Sequence, residues 1–131
     1  MNRDIFLEFR NTILGSLSAH GVSYKLFGGA VICLINDERE TQDLDIAIKA
    51  ELETTEKFID ALASCGYADR EYISMQIYGE NASPGENMYS TCHLATKNPR
   101  WKGLHIDLCF DLGEHNYEKN ISALSLKQVN L

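Results

Sequence analysis

Asp43 and Asp45 stand two apart in the run Asp43-Leu44-Asp45-Ile46-Ala47-Ile48. Side chains two apart on a strand share one face. If Leu44, Ile46 and Ile48 turn toward a core, the two carboxylates turn together to the opposite side. Carboxylates held side by side repel each other unless a cation lies between them. Their hard oxygens suit magnesium, which takes one or two carboxylates and leaves room for substrate phosphates. Upstream, Gly28 and Gly29 follow the short apolar run that ends at Phe27. Glycines let a backbone approach a phosphate closely, and a helix opening there would aim its N–H groups at the anion. A phosphate cradle followed by metal-binding carboxylates points to metal-assisted phosphoryl or nucleotidyl transfer. Either half alone is ordinary, because Asp-x-Asp is common on solvated strands and Gly-Gly is usually a turn. What carries the reading is their order, with the apolar, helix-sized stretch Ala30 to Ile35 between them.

With those residues in view, the stretch from Phe27 to Ile48 resembles the nucleotidyltransferase superfamily that includes DNA polymerase beta. The family motif is an apolar residue, Gly-Gly or Gly-Ser, a spacer of similar length, then Asp-apolar-Asp/Glu-apolar. Here it falls on Gly28, Gly29, Asp43 and Asp45. The run Arg39-Glu40-Thr41-Gln42-Asp43-Leu44-Asp45 is similar to the R-x-T-x-D-x-D of the branch holding tRNA CCA-adding, antibiotic and toxin–antitoxin nucleotidyltransferases. The resemblance covers the motif and, more loosely, Tyr24 to Leu112. It implies a polymerase-beta-like fold, two magnesium ions, an NTP donor, and a third carboxylate on a later strand. In Leu104 to Leu112 that acid maps best to Asp107, which shares a strand face with His105 and Cys109, while Ile106, Leu108 and Phe110 lie opposite. Asp111, further along the same face, is the second choice; capping of the following turn is its competing role.

By the same resemblance, Gly28, Gly29, Arg39 and Thr41 would serve the nucleotide, and Asp43, Asp45 and Asp107 would hold the metal and do the catalysis. Arg39 has the planar fork that suits a phosphate. It also stands among Asp37, Glu38 and Glu40, so a surface ion pair competes with that role. For Thr41, a hydrogen bond within its own loop competes. Lys97, Arg100, Trp101 and Lys102 form a basic, aromatic-bearing cluster next to the third-acid strand. Trp101 has the ring to stack on a base, but a turn with Trp101 tucked against the core is the preferred reading. His20, His93, His105 and His115 show no metal-ligand spacing among themselves, and none is assigned. Tyr67, Tyr72, Tyr78 and Tyr89 read as sheet-face aromatics rather than a base-binding platform.

The elements that must position these groups follow from pattern. The chain has 131 residues with 44% hydrophobic content, which suits a single domain over 1–131 with its own core. Ile5, Leu7, Phe9, Ile13, Leu14 and Leu17 predict a helix from Arg3 to Ser18, ended by Gly21 as a left-handed cap. Strands are expected at Val22 to Phe27, Asp43 to Ile48, Tyr72 to Tyr78, Met88 to Thr96 and Leu104 to Leu112. Tyr72 to Tyr78 is read as a strand because Ile73, Met75 and Ile77 alternate with more polar residues. Helices are expected at Ala30 to Asn36, Glu51 to Cys65, and in a short final piece around Ile121 to Leu126. The composite is α+β, a mixed sheet with helices packed on one face.

Net charge is −7. A chain that grips a long nucleic acid normally carries a basic excess, so no long nucleic acid is expected. The acceptor expected is a small molecule, a protein side chain or a tRNA end. No apolar run is long enough to span a membrane, no signal-peptide core is present, and a cytoplasmic protein is expected. Cys33, Cys65, Cys92 and Cys109 lack knuckle spacing and read as buried free thiols rather than a zinc site. Most relatives with this motif carry a helical domain after the third-acid strand, whereas about twenty residues follow it here. A minimal catalytic domain, or an acceptor site completed by a homodimer or a partner chain, is therefore expected. The alternative is a catalytically weak, partner-binding module of a toxin–antitoxin type. A metal-dependent nuclease or phosphatase would use such carboxylates too, but leaves the glycine pair unexplained.

Overall fold

The structure is a computed structural model that describes residues 3–27, 43–79 and 91–111. Gly28, Gly29, Arg39, Thr41, the helix expected at Ala30 to Asn36 and the final helix lie outside the described residues. So do Cys33, Tyr89 and His115.

Helix α1, Arg3–Ala19, buries Phe6, Phe9, Ile13 and Leu17. Steps of three and four keep these on one stripe of a 3.6-residue helix. Phe6 belongs to the stripe, and Leu7, counted in from the sequence, lies at its half-buried flank. The helix ends where Gly21 adopts φ +73° and Val22 N–H donates to the Leu17 carbonyl at 2.9 Å. That is the glycine C-cap expected from the sequence.

Among the described residues, four strands form one mixed sheet: β1, Tyr24–Phe27; β2, Asp43–Lys49; β3, Cys92–Ala95; and β4, His105–Asp111. The spatial order is β1-β2-β4-β3. β2 and β4 run parallel at the centre, and β1 and β3 pair antiparallel at the two sides. Parallel neighbours need a crossover. Here the chain makes it through helices α2, Leu52–Ser64, and α3, Arg70–Tyr78.

Register sorts the sheet into two unlike faces. Leu26, Ile46, Leu108 and Cys92 lie in one transverse row, and Leu44, Ile106 and Leu94 in the next. All are buried, and they join the buried stripes of α1, α2 and α3 in a single core. Within α2 that stripe is Thr55, Phe58, Ile59, Ala61 and Leu62. Leu52, expected in it, is 46% exposed instead. Thr55 is buried without penalty because its hydroxyl donates to the Glu51 carbonyl at 2.8 Å.

The segment Tyr72–Tyr78, expected as a strand, is helical and forms most of α3. Ile73 and Ile77 sit four apart, a spacing that fits both a strand face and a helix face. Met75 separates the two geometries: a strand would bury it with them, yet it is 41% exposed. Asp69 starts the helix, its carboxylate accepting from Tyr72 N–H at 2.8 Å. Side-chain capping of this kind satisfies a first-turn donor that a strand would not leave open.

The Lys97 to Gly103 turn contains one 3-10 turn, Pro99–Trp101, that opens on Asn98. Trp101 is buried, meets Phe9 edge-on at 5.4 Å between ring centres, and donates from Nε1 to Glu8 at 3.2 Å. Arg100 grips the same carboxylate through Nε and Nη2, at 2.5 and 2.8 Å. Trp101 is thus the core-facing anchor of the turn, as preferred from the sequence. Tyr67 is also buried, and its hydroxyl donates to the Leu94 carbonyl.

Candidate active site: the acid face of the sheet

Opposite the core, the central strands carry carboxylates. Asp43 and Asp45 occupy alternate positions on β2 while Leu44, Ile46 and Ile48 are buried on the other side. β4 repeats the pattern, with Asp107 half-buried between buried Ile106 and Leu108. The parallel register then sets Asp45 directly beside Asp107 and Asp43 directly beside His105. Neighbouring strands lie about 4.8 Å apart, so these groups meet across the sheet. Asp43 and Asp45 come from one stretch of sequence and Asp107 from another, and the fold brings all three to one face.

The electrostatics are those of crowded acids. The Asp45 carboxyl is pushed up to about 7. Burial is the main cause, followed by a hydrogen bond with Asp107, the Asp107 charge, and then the Asp43 charge. Two carboxylates this close resist ionising together, which adds to the hold of Asp45 on its proton.

Two imidazoles complete the cluster. His105 Nε2 contacts Asp43 Oδ1 at 2.7 Å, and His93 Nδ1 bonds Asp107 Oδ1. The two rings are 4.2 Å apart between centres, tilted by 58°. Spacing along the chain gave neither histidine a role. His105 sits two residues from Asp107, which is a weak signal. His93 carried no signal at all until β3 was placed on β4 with His93 opposite Asp107.

Asp111 does not join the group. It lies four residues beyond Asp107, roughly 13 Å along an extended strand, and its carboxylate pairs with Lys25 at 3.5 Å. Cys65, Cys92 and Cys109 are thiols outside any disulfide among the described residues, half-buried or buried.

Among the described residues, no three His, Cys, Asp or Glu side chains converge in a geometry that could hold a metal ion. The acids instead answer one another and the imidazoles. The donor chemistry still fits a hard divalent cation. Three carboxylates share a face, and burial, together with the neighbouring acids, holds a proton on Asp45 that a cation would displace.

No family model matches the chain, and neither a curated protein nor a solved structure matches it. Among the described residues, no helix is long and apolar enough to cross a membrane.

Proposed function

We propose that the chain is a nucleotidyltransferase with a polymerase-beta-like fold, moving a nucleoside monophosphate from an NTP to an acceptor hydroxyl. One observation carries the reading: Asp45 and Asp107 lie in direct register across parallel strands, with Asp43 two residues away on the same face. An Asp-x-Asp strand beside a strand bearing a third acid is the arrangement that the motif calls for.

In this reading Asp43, Asp45 and Asp107 would hold magnesium, which would neutralise the triphosphate and polarise the phosphorus under attack. Asp107, partly open to solvent, accepts the proton of the acceptor hydroxyl. The acceptor oxygen bonds to the α-phosphorus as the bond from that phosphorus to the departing pyrophosphate breaks. Gly28 and Gly29 supply backbone N–H groups to the phosphates, and Arg39 and Thr41 assist the leaving charge. The net charge of −7 favours a small-molecule, protein or tRNA-end acceptor over a long nucleic acid. A cytoplasmic setting belongs to the same reading and suits the free thiols.

The test is calorimetric titration of the four NTPs in magnesium, on the unaltered chain and on the Asp43→Ala, Asp45→Ala double variant. Magnesium-dependent binding of an NTP that disappears in the variant is the expected result. Absence of binding by the unaltered chain, with the fold intact, would refute the enzyme reading and favour the partner-binding module.

A further inference from the structure

The two imidazoles beside the acid face each hold a different carboxylate, and each does so through a different ring nitrogen. His93, on β3, uses Nδ1 to bond Asp107. His105, on β4, uses Nε2 to contact Asp43 at 2.7 Å. Both contacts follow from register, since His93 pairs with Asp107 and His105 pairs with Asp43. They leave Asp45, the central acid, hydrogen-bonded to Asp107 rather than to an imidazole.

Packing does not account for His93. Its side chain is 61% exposed, so its burial contributes little to the fold. What holds it in place is the carboxylate and the neighbouring His105 ring. An aspartate near a surface has two soft torsions, and freezing them costs entropy whenever a ligand needs one orientation. A hydrogen bond from a neighbouring ring meets that cost in advance. Partners of this kind beside ligating groups orient them and raise affinity for the metal.

On the reading of this face as a metal–nucleotide site, we infer that His93 and His105 are positioning residues. Each fixes the side-chain torsion of one flanking carboxylate, Asp107 or Asp43, for a divalent cation. His93 presents Nδ1 to Asp107 in a hydrogen bond and His105 presents Nε2 to Asp43 at ion-pair distance, and that difference makes the role testable. An asparagine amide nitrogen falls near the place of Nδ1, whereas a glutamine amide nitrogen falls near the place of Nε2.

The experiment is calorimetric titration of magnesium into the full chain, with His93→Ala, His93→Asn, His93→Gln and the same three changes at His105. Circular dichroism of each variant checks that the fold is retained, and the amide variants decide the question should an alanine variant unfold. Either alanine change is expected to weaken magnesium binding about 10–100-fold. Asparagine should restore affinity at position 93 and glutamine at position 105, with the exchanged amides failing. Unchanged or tighter binding in both alanine variants, or equal rescue by either amide at both positions, overturns the positioning role and leaves the metal site standing. No magnesium uptake by the unaltered chain overturns the metal site and the positioning role together.

Discussion

Replacing Asp45 by asparagine should remove a pH dependence of stability that the acid face imposes. In the folded chain Asp45 holds its proton up to about 7, whereas an ordinary aspartate releases it near 3.8. The folded state therefore binds more protons than the unfolded state between those two values, and stability must fall as pH rises through that window. A wholly buried group with this difference would cost roughly 4 kcal/mol, at about 1.4 kcal/mol for each tenfold change in proton affinity. Asp45 is only half-buried, and solvent screens its neighbours' charges, so about 1–2 kcal/mol is the discounted expectation. The assay is urea unfolding in a chelator, at steps from about pH 5 to about pH 8, for the unaltered chain and Asp45→Asn. The unaltered chain should lose most of that increment relative to the variant across the range, reaching a plateau above about pH 8. Magnesium at the high-pH end should return the loss, because a cation replaces the proton held on Asp45. Parallel pH profiles for the two proteins would refute the reasoning, as would a rise in the unaltered chain's relative stability toward high pH.

Two further substitutions test the scaffold. Phe9→Ala should destabilise the chain by about 3–5 kcal/mol in urea unfolding, because Phe9 is fully buried among the rings of Phe6, Tyr67 and Trp101; a cost under about 1 kcal/mol would show that this ring cluster does not hold α1 to the sheet. Asp69→Ala removes the cap of α3 and should cost about 1 kcal/mol, with amide exchange accelerated at Tyr72, whose N–H the carboxylate accepts.

The reading of α3 shows where sequence pattern fails. Over seven residues, Ile73 and Ile77 satisfy a two-residue and a four-residue repeat equally. The alternation around them, rich in isoleucine and tyrosine, tipped the expectation to a strand. What decided the matter was a capping aspartate just outside the segment, and a helix face that buries Ile73, Ile77 and Tyr78 while leaving Met75 exposed. In α1 the stripe ran over four turns with a glycine cap after it, and a long repeat of that kind leaves little ambiguity. The Glu51 to Cys65 helix was legible for the same reason, and its observed span is Leu52–Ser64.

The acid face divides in the same way. That Asp43 and Asp45 point together away from the core was legible from strand alternation alone, and so was the placing of Asp107 on the polar side of its own strand. These are local consequences of a period of two. Which carboxylate meets which is a matter of register between strands about sixty residues apart in sequence, and no local pattern encodes it. Register set Asp45 against Asp107, drew His105 to Asp43, and carried His93 from an unremarkable position onto the third acid. It also sent Asp111 to Lys25 at the far end of the strand. Sequence alone determined which residues turn away from the core, because side-chain direction is set by the backbone a residue at a time. Only the tertiary structure decided which of them meet one another or an imidazole, because those partnerships depend on distances that exist once the sheet has assembled.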